Sequence, residues 1–161
     1  MPAPEIALRP ATDDDRALLL RIYASTRERE LALVPWSDEQ KLAFVTQQFE
    51  AQDRHYRTAY ADAVSFDVVL VDGEPAGRLY LSRMPGELRI VDVALLPAAR
   101  GNGVGTRLLQ TLLEDAAVEE RAVTIHVEQA NPARRLYERL GFELESSGEI
   151  YDFMRARPSG R

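Results

Sequence analysis

Apolar runs with strand-like alternation divide the chain into several short stretches. "EIALRPA" near the start, the apolar run "ELRIVDVALL" and the alternating "AVTIHVE" each predict one strand. Two further β-rich runs in "SFDVVLVDGEPAGRLYLSR" meet at Asp72-Gly73, a dipeptide typical of tight hairpins. "FELESS" and "EIYDFMRA" predict a final antiparallel pair. Because "ELRIVDVALL" is almost continuously apolar, it is expected to be a central strand covered on both faces.

Helical periodicity fills the stretches between these runs. Thr12, followed by three aspartates, predicts the start of a first helix that runs to about Arg29. Ser37 and Gln40 form a capping-box pattern ahead of a second helix. A wide leucine face after residue 104 predicts a third helix.

The last predicted helix lies within "NPARRLYERLGF". Asn131 predicts its N-cap, Pro132 its first position and Gly141 its end. About four helices and six or seven strands predict an α/β (α+β) fold, with a mixed, mostly antiparallel sheet flanked by helices. The length of 161 residues suits one domain, predicted over 1–155, with a flexible tail at 156–161.

The amino-acid composition argues against several classes of function and of binding site. The net charge of −6 argues against nucleic-acid binding, and no apolar run is long enough for a membrane span. The absence of cysteine excludes disulfides, zinc–thiolate sites and a cysteine nucleophile, and no cluster of other ligands predicts a metal site. The opening "MPAPEIALRP" lacks a secretory signal pattern, so the sequence predicts a cytoplasmic location.

Three glycines, Gly101, Gly103 and Gly105, lie between the apolar strand and the third helix. Glycine lets backbone N–H groups turn toward a ligand, and such groups at a helix start suit a phosphate. A P-loop is excluded because Thr106, and not lysine, follows the last glycine. The dinucleotide pattern G-x-G-x-x-G also fails, although Glu128 at the end of the next strand keeps that alternative open. A plain helix start without a ligand is the third reading.

Arg100, Gly103 and Gly105 also fit the pattern Arg/Gln-x-x-Gly-x-Gly/Ala between a strand and a helix. Together with "TRLL" and "NPARRLYERLGF", they make the chain resemble the GNAT superfamily of acetyl-CoA-dependent N-acetyltransferases, over roughly residues 65–145. The resemblance implies direct acetyl transfer from acetyl-CoA to a primary amine of a small molecule or peptide, without a metal, and is compatible with a homodimer. A non-catalytic acyl-CoA-binding module is the alternative.

The resemblance implies a binding mode for acetyl-CoA. Backbone N–H groups of the glycine loop would hold its pyrophosphate, and its pantetheine arm would lie along the strand, with an N–H group near the thioester carbonyl. Asn131 would cap its helix, contact the pantetheine, or do both. The implied set, to which Tyr137 is added below, comprises Val93, Ala94, Leu95, Arg100, Gly101, Asn102, Gly103, Val104, Gly105, Thr106 and Asn131.

Tyr137 is the candidate general acid. In the resemblance it corresponds to a tyrosine that approaches the CoA sulfur, where a phenol can protonate the departing thiolate. Its spacing with Leu136 and Leu140 equally fits an apolar helix face, which is the structural alternative.

Asp92 is the candidate base, because burial among apolar neighbours would raise its pKa toward a useful value. Regular alternation places Arg89 and Val91 on the face of Val93 and Leu95, so Asp92 is expected on the opposite face unless a bulge re-aims it. A hydrogen-bonded structural role is the alternative.

The segment "STRERELALVPWSDEQ" corresponds, in the resemblance, to the part of the family that covers the acceptor. Arg27, Glu28 and Trp36 are its candidate substrate contacts, with Glu28 suited to an ammonium group and Trp36 to a cation or ring. His126, on the strand beyond the glycine loop's helix, is a candidate substrate contact or base, with a structural role as its alternative.

Overall fold

The computed structural model describes residues 3–59 and 64–158. Their sheet has seven strands in the order β1-β2-β3-β4-β5-β7-β6, with β4 and β5 parallel and every other neighbouring pair antiparallel. This confirms the predicted mixed, mostly antiparallel sheet. The strands are β1 (Ile6–Pro10), β2 (Val64–Val71), β3 (Glu74–Met84), β4 (Glu87–Leu95), β5 (Ala122–Glu128), β6 (Glu143–Ser147) and β7 (Tyr151–Ala156).

The described residues form five α-helices, one of which is a single turn. Of the predicted tail, Ala156 is the last residue of β7 and is buried, and residues 159–161 lie outside the described residues. No helix within residues 3–59 and 64–158 is long and apolar enough to cross a bilayer. The helices are α1 (Arg16–Ser25), α2 (Glu28–Leu31), α3 (Asp38–Ala59), α4 (Val104–Val118) and α5 (Arg134–Arg139).

The first predicted helix is shorter than expected. A 3-10 turn at Asp13–Asp15 precedes α1, and α1 ends at Ser25 and not near Arg29. The Thr26 hydroxyl donates to the Tyr23 carbonyl at 2.6 Å, which gives a carbonyl at the helix end a side-chain partner. The helix α1 therefore ends here, and the chain then forms the single turn of α2.

Two local sequence signals are confirmed. Asp72 and Gly73 have φ of 51° and 84°, the left-handed pair that a tight β2–β3 hairpin requires. The Ser37 hydroxyl accepts from the Gln40 N–H at 3.1 Å, and the Gln40 side chain accepts from the Ser37 N–H at 2.9 Å. This reciprocal capping box starts α3.

The last helix begins later than predicted. Asn131 and Pro132 both precede α5, which begins at Arg134. The Asn131 side-chain oxygen accepts from the Ala133 N–H at 2.9 Å, so it caps the turn ahead of the helix. The predicted end is confirmed, because Gly141 has a φ of 101°, as a glycine that terminates a helix does.

Two hydrophobic clusters cover the two faces of the sheet. The larger one packs α4 and α5 against the sheet, and the smaller one packs α1 and α3 against the other face. The strand β4 contributes to both clusters, as its apolar sequence predicts. Each fully buried large apolar side chain contributes about 1.5–3 kcal/mol to this packing. The smaller cluster contains Leu19, Ile22, Tyr23, Val45, Phe49 and Leu96.

Candidate active site

The parallel strands β4 and β5 separate after a short contact. Glu87–Ile90 pairs with Ala122–Ile125, and along these two described strands the pairing ends there. The remaining residues of β5, His126–Glu128, pair with β7, while Val91–Leu95 of β4 has β3 alone as its neighbour. Main-chain groups of Val91–Leu95 that do not bond β3 therefore face an open gap.

A β-bulge in β4 lies where the gap begins. Tyr80 of β3 pairs with Asp92, and the next β3 residue, Leu81, pairs with Ile90. Val91 is the extra residue, so one step on β3 spans two steps on β4. The bulge bends β4 away from β5 at this point.

The bulge makes the predicted alternation of β4 wrong. Val93 and Leu95 pack in the larger cluster with Leu88 and Ile90, under α4 and α5. Arg89, expected to share their face, donates through Nε to the side chain of a β5 threonine on the opposite side, at 2.9 Å. An added residue reverses the side that each later residue faces, which periodicity alone does not reveal.

Asp92 belongs to a buried polar cluster on the α1 and α3 face. Its Oδ2 accepts from Nη2 of Arg78, a β3 residue whose side chain is 2% exposed. The same nitrogen donates to Oε1 of Gln52 on α3, at 3.0 Å. The Asp92 side chain itself keeps 17% exposure, so the carboxylate is the accessible end of the pair.

The pKa of Asp92 is raised above its ordinary value, and burial is the main cause. The Arg78 charge and hydrogen bonds from Arg78 and Tyr56 act in the opposite direction, because they favour the ionised carboxylate. The expected raised pKa is thus present. The structural alternative for Asp92 is present too, since the carboxylate is hydrogen-bonded.

Tyr137 extends from α5 into the larger cluster, where its side chain is buried next to Phe142, with ring centroids 5.6 Å apart. Burial, and then the negative charge of Asp92, raises the Tyr137 pKa to about 12. The phenol and the carboxylate lie on different elements, α5 and β4. Tyr137 stays protonated throughout the neutral pH range.

The glycine loop leads from β4 to the N-terminus of α4. Gly101 and Gly103 have φ of 81° and 77°, and space within 4 Å of an added Cβ is open at both. Gly103 is the N-cap of the 15-residue helix α4, so the amides of Val104 and the next two residues lie in its first turn. A Cβ on Gly105 would make only ordinary contacts, at 3.7 and 4.0 Å, so packing within the protein does not demand glycine there.

Arg100 connects the loop to its surroundings. Its Nε donates to the Leu95 carbonyl at 2.9 Å, and its Nη2 reaches the Ser25 hydroxyl at 3.4 Å. The guanidinium is thus oriented toward β4 and α1.

The predicted substrate contacts do not form one pocket. Glu28 lines a groove of about 540 Å³ between α1, α2 and α3, whose floor includes Leu96. Arg27 pairs with Glu30 at 3.0 Å, and Trp36, 40% exposed, packs edge-on against Phe44 with centroids 5.2 Å apart. Glu28 thus lies at a cavity.

His126 lies in a second groove, of about 490 Å³, beside the β6–β7 turn. It is the first β5 residue beyond the β4–β5 pairing, and its ring packs on Phe153 with centroids 4.7 Å apart. Burial, and then the positive charge of Arg89, lowers the His126 pKa, while Glu87 opposes this shift. His126 is therefore placed at the edge of the gap and is neutral at pH 7.

The sequence reasoning missed Arg78. The residue lies within the apolar stretch "AGRLYL" of β3, and the signal was an arginine where every neighbour predicts a buried strand. A buried arginine requires a partner, which points to a carboxylate on an adjacent strand. Its α3 partner, Gln52, carried no such signal, because only the packing of α3 brings it to β3.

The model of the acetyltransferase (GNAT) family matches residues 21–142, most of the chain. The chain belongs to this family. The dinucleotide-binding reading of the glycine loop is thereby set aside.

Solved structures share the GNAT fold over nearly the whole chain. The PaiA N-acetyltransferase of Thermoplasma acidophilum, solved with coenzyme A, is 15% identical with a TM-score of 0.71, covering 95% of this chain and 99% of that one. An acetyltransferase of Thermus thermophilus is 17% identical with a TM-score of 0.69, covering 98% and 99%. A chimeric spermidine N-acetyltransferase from Vibrio cholerae is 19% identical with a TM-score of 0.63, covering 96% of both chains. The structural similarity to these proteins establishes the fold of this GNAT protein.

Proposed function

We propose that this GNAT protein transfers an acetyl group from acetyl-CoA directly to a primary amine of a small molecule or peptide. The observation that carries the proposal is the gap between β4 and β5, where Val91–Leu95 has no β5 partner and leads to the glycine loop at the start of α4. Main-chain groups free to bind a thioester, next to a loop suited to a phosphate, are what a transferase that uses acetyl-CoA requires.

The residues of the glycine loop fit a pyrophosphate. Gly101 and Gly103 leave open space where side chains would stand, and the first turn of α4 offers N–H groups, with the helix dipole favouring an anion. We assign Gly101–Thr106 to the pyrophosphate, and Val93, Ala94 and Leu95 to the pantetheine arm of acetyl-CoA. Acetyl-CoA, when bound, supplies the acetyl thioester. Arg100 would contribute by holding the loop to β4, and Asn131 by capping its turn.

Main-chain groups of β4 would stabilise the developing negative charge on the thioester carbonyl. The bulge frees N–H groups between residues 91 and 95 from β5, and one directed into the gap serves as an oxyanion-hole donor. Removal of one such donor in other enzymes costs about 10²–10³ in kcat. We assign this role to the Val93–Leu95 segment.

Asp92 would receive the proton of the attacking amine. A free aliphatic amine has a reference pKa near 10.4, so it arrives as an ammonium ion, which an ionised carboxylate attracts. The raised pKa of Asp92 makes it a better base than an exposed carboxylate. His126, neutral at the other side of the gap, is the second residue that could accept this proton.

Tyr137 would donate a hydrogen bond to the departing thiolate. A free thiol has a reference pKa near 8.5, about 3.5 below that of Tyr137, so complete proton transfer would cost about 5 kcal/mol. We therefore assign Tyr137 as a neutral donor that stabilises the developing negative charge on sulfur, with the proton moving late.

For the acceptor, we propose the groove beside Glu28, with Glu28 as the contact for an ammonium group. The groove is also lined by Arg21, Lys41 and apolar residues, and its Leu96 follows β4 directly. One structural relative is a spermidine N-acetyltransferase, which fits an amine as the acceptor class. Arg27, Trp36 and the His126 groove remain proposed substrate contacts. The predicted single domain over 1–155, a homodimer and a cytoplasmic location stay predictions.

A non-catalytic acyl-CoA-binding module is the second candidate. The observation that favours it is the Arg78–Asp92 pair, which already satisfies the candidate base. The two candidates differ in turnover, because a binding module holds acetyl-CoA without releasing thiol.

The deciding experiment measures thiol release from acetyl-CoA with a panel of polyamines, amino acids and peptides, beside binding of acetyl-CoA by calorimetry. Transfer predicts amine-dependent thiol release that falls at least about 10²-fold in Asp92→Asn, with acetyl-CoA affinity retained. Binding without release for every amine would support the module. A failure to bind acetyl-CoA at millimolar concentration would overturn both.

A further inference from the structure

We propose that Arg78 is a positioning residue for the reaction: it keeps the Asp92 carboxylate ionised and directed toward the gap between β4 and β5. The inference rests on the proposed acetyl transfer, in which Asp92 accepts a proton from the amine. Arg78 itself is buried and would touch neither the acceptor nor the thioester.

The position of the Arg78 guanidinium is set from several directions. It lies over the ring of Tyr80 at 4.9 Å and faces the ring of Tyr23 at 5.7 Å from their centroids. Nη2 donates to Gln52 at 3.0 Å and to Asp92. Contacts from α1, β3 and α3 thus immobilise the cation, so the carboxylate bound to it has a fixed direction as well.

The pair is asymmetric in a way that suits a reactive carboxylate. Arg78 is 2% exposed and Asp92 17%, so the anion is the more accessible member of the pair. The chain contains a contrasting pair, Arg9 and Asp15, in which Arg9 binds both carboxylate oxygens and the Thr12 N–H binds Oδ2 again. Both oxygens of the Asp15 carboxylate therefore accept hydrogen bonds within the fold, whereas Arg78 contacts only Oδ2 of Asp92.

Arg78 is the only cation acting on Asp92 among the described groups that shift its pKa. Without it, the hydrogen bond from Tyr56 would be the one remaining influence that favours the ionised form against burial. The titratable groups that face the pair from other elements carry no positive charge. They are Tyr80 on β3, Tyr56 and Asp53 on α3, Tyr23 on α1 and Tyr137 on α5.

The test compares Arg78→Gln, which keeps hydrogen-bond donors without charge, with Arg78→Lys, which keeps the charge. Two quantities are measured for each: the pH profile of kcat/KM, and the titration of Asp92 followed by ¹³C NMR of its carboxyl carbon. We expect the acidic limb of the profile and the NMR titration to move together to higher pH in Arg78→Gln, by about 1 to 3 pH units. In Arg78→Lys both should return toward the wild-type position.

Arg9→Gln is the matched control, because it removes the cation of another Arg–Asp pair, whose Arg9 lies on β1, three strands away from β4 in the sheet. It should lower stability while leaving the acidic limb unchanged. If Arg78→Gln does not fold, Gln52→Ala carries the test of positioning, since it releases the guanidinium from α3 without removing its charge. A joint displacement of the limb and of the Asp92 titration, in either direction, supports the proposal, and a limb and titration at their wild-type positions overturn it.

The NMR titration separates failure of this proposal from failure of the proposed function. If the wild type shows no turnover with any amine, acetyl transfer fails, and the Asp92 titration alone decides whether Arg78 controls the carboxylate. An Asp92 titration that is the same in Arg78→Gln and wild type overturns the role of Arg78. So does an equal displacement of the limb in Arg78→Gln and in Arg9→Gln.

Discussion

Asp92 lies opposite Tyr80 on the neighbouring strand, a position that Val91 would hold if β4 were regular. This displacement joins Asp92 to the buried cluster of Arg78 and leaves Val93 on the face toward α4 and α5. Asp92 and the Val93–Leu95 segment that we propose binds acetyl-CoA are therefore adjacent in sequence. Asp92 and Val93 nevertheless point to opposite faces of the sheet.

Deletion of Val91 should abolish turnover without unfolding the chain. The residues on both sides of the bulge keep their β3 partners, so the clusters on the two faces retain their members. The strand loses its bend, and the gap beside β5 narrows. We expect kcat/KM to fall by about 10²-fold or more, as a displacement of about 1 Å can produce, measured by thiol release. Wild-type turnover in the deletion variant would contradict the role given to the bulge.

Gly103→Val should remove acetyl-CoA binding, because the side chain would occupy the open space in front of the loop. The matched control is Gly86→Val in the β3–β4 turn, where φ is 70° and an added Cβ is also unopposed. Both variants carry a side chain at positive φ and should lose about 1–2 kcal/mol of stability. Calorimetry should show lost affinity only for Gly103→Val. Equal affinities in the two variants would place the cofactor elsewhere.

Tyr137→Phe should slow turnover by about 10²-fold while acetyl-CoA affinity changes little, because the ring remains and only the donor is lost. The raised pKa, about 12, also predicts that Tyr137 produces no alkaline limb in the wild-type profile below about pH 10. Single-turnover thiol release and equilibrium binding measure the two effects. An equal loss of both would identify Tyr137 as a packing residue.

Asp15→Asn should remove part of the acid sensitivity of folding. The Arg9 hydrogen bond, followed by the Thr12 N–H, lowers the Asp15 pKa from 3.8 to about 2. A lowered pKa means that the stabilisation is fully present above pH 3.8 and is lost as the pH falls toward 2. Urea unfolding at pH 7 should show the variant less stable, with the difference shrinking between pH 4 and pH 2. A difference that stays constant with pH would refute this assignment.

Local signals in the sequence predicted much of the fold correctly. Asp72 and Gly73 set the hairpin, Ser37 and Gln40 started α3, and Gly141 ended α5, because each signal acts through neighbouring residues. Helix ends that depend on competing side-chain hydrogen bonds were placed less well, at the C-terminus of α1 and the N-terminus of α5. There, hydroxyl and amide side chains replace the backbone bonds that periodicity assumes.

By itself, the sequence determined the mixed sheet, the position of the glycine loop before α4 and the family, since these depend on periodicity, on glycine's backbone freedom and on motif spacing. The tertiary structure alone decided which side of β4 carries Asp92, because one inserted residue reverses alternation without changing composition. It also decided that Arg78 meets this carboxylate across β3 and β4, and that Gln52, 26 positions from Arg78, reaches the same guanidinium because α3 packs on the sheet. Contacts of that kind are set by burial across the whole fold, and no local pattern records them.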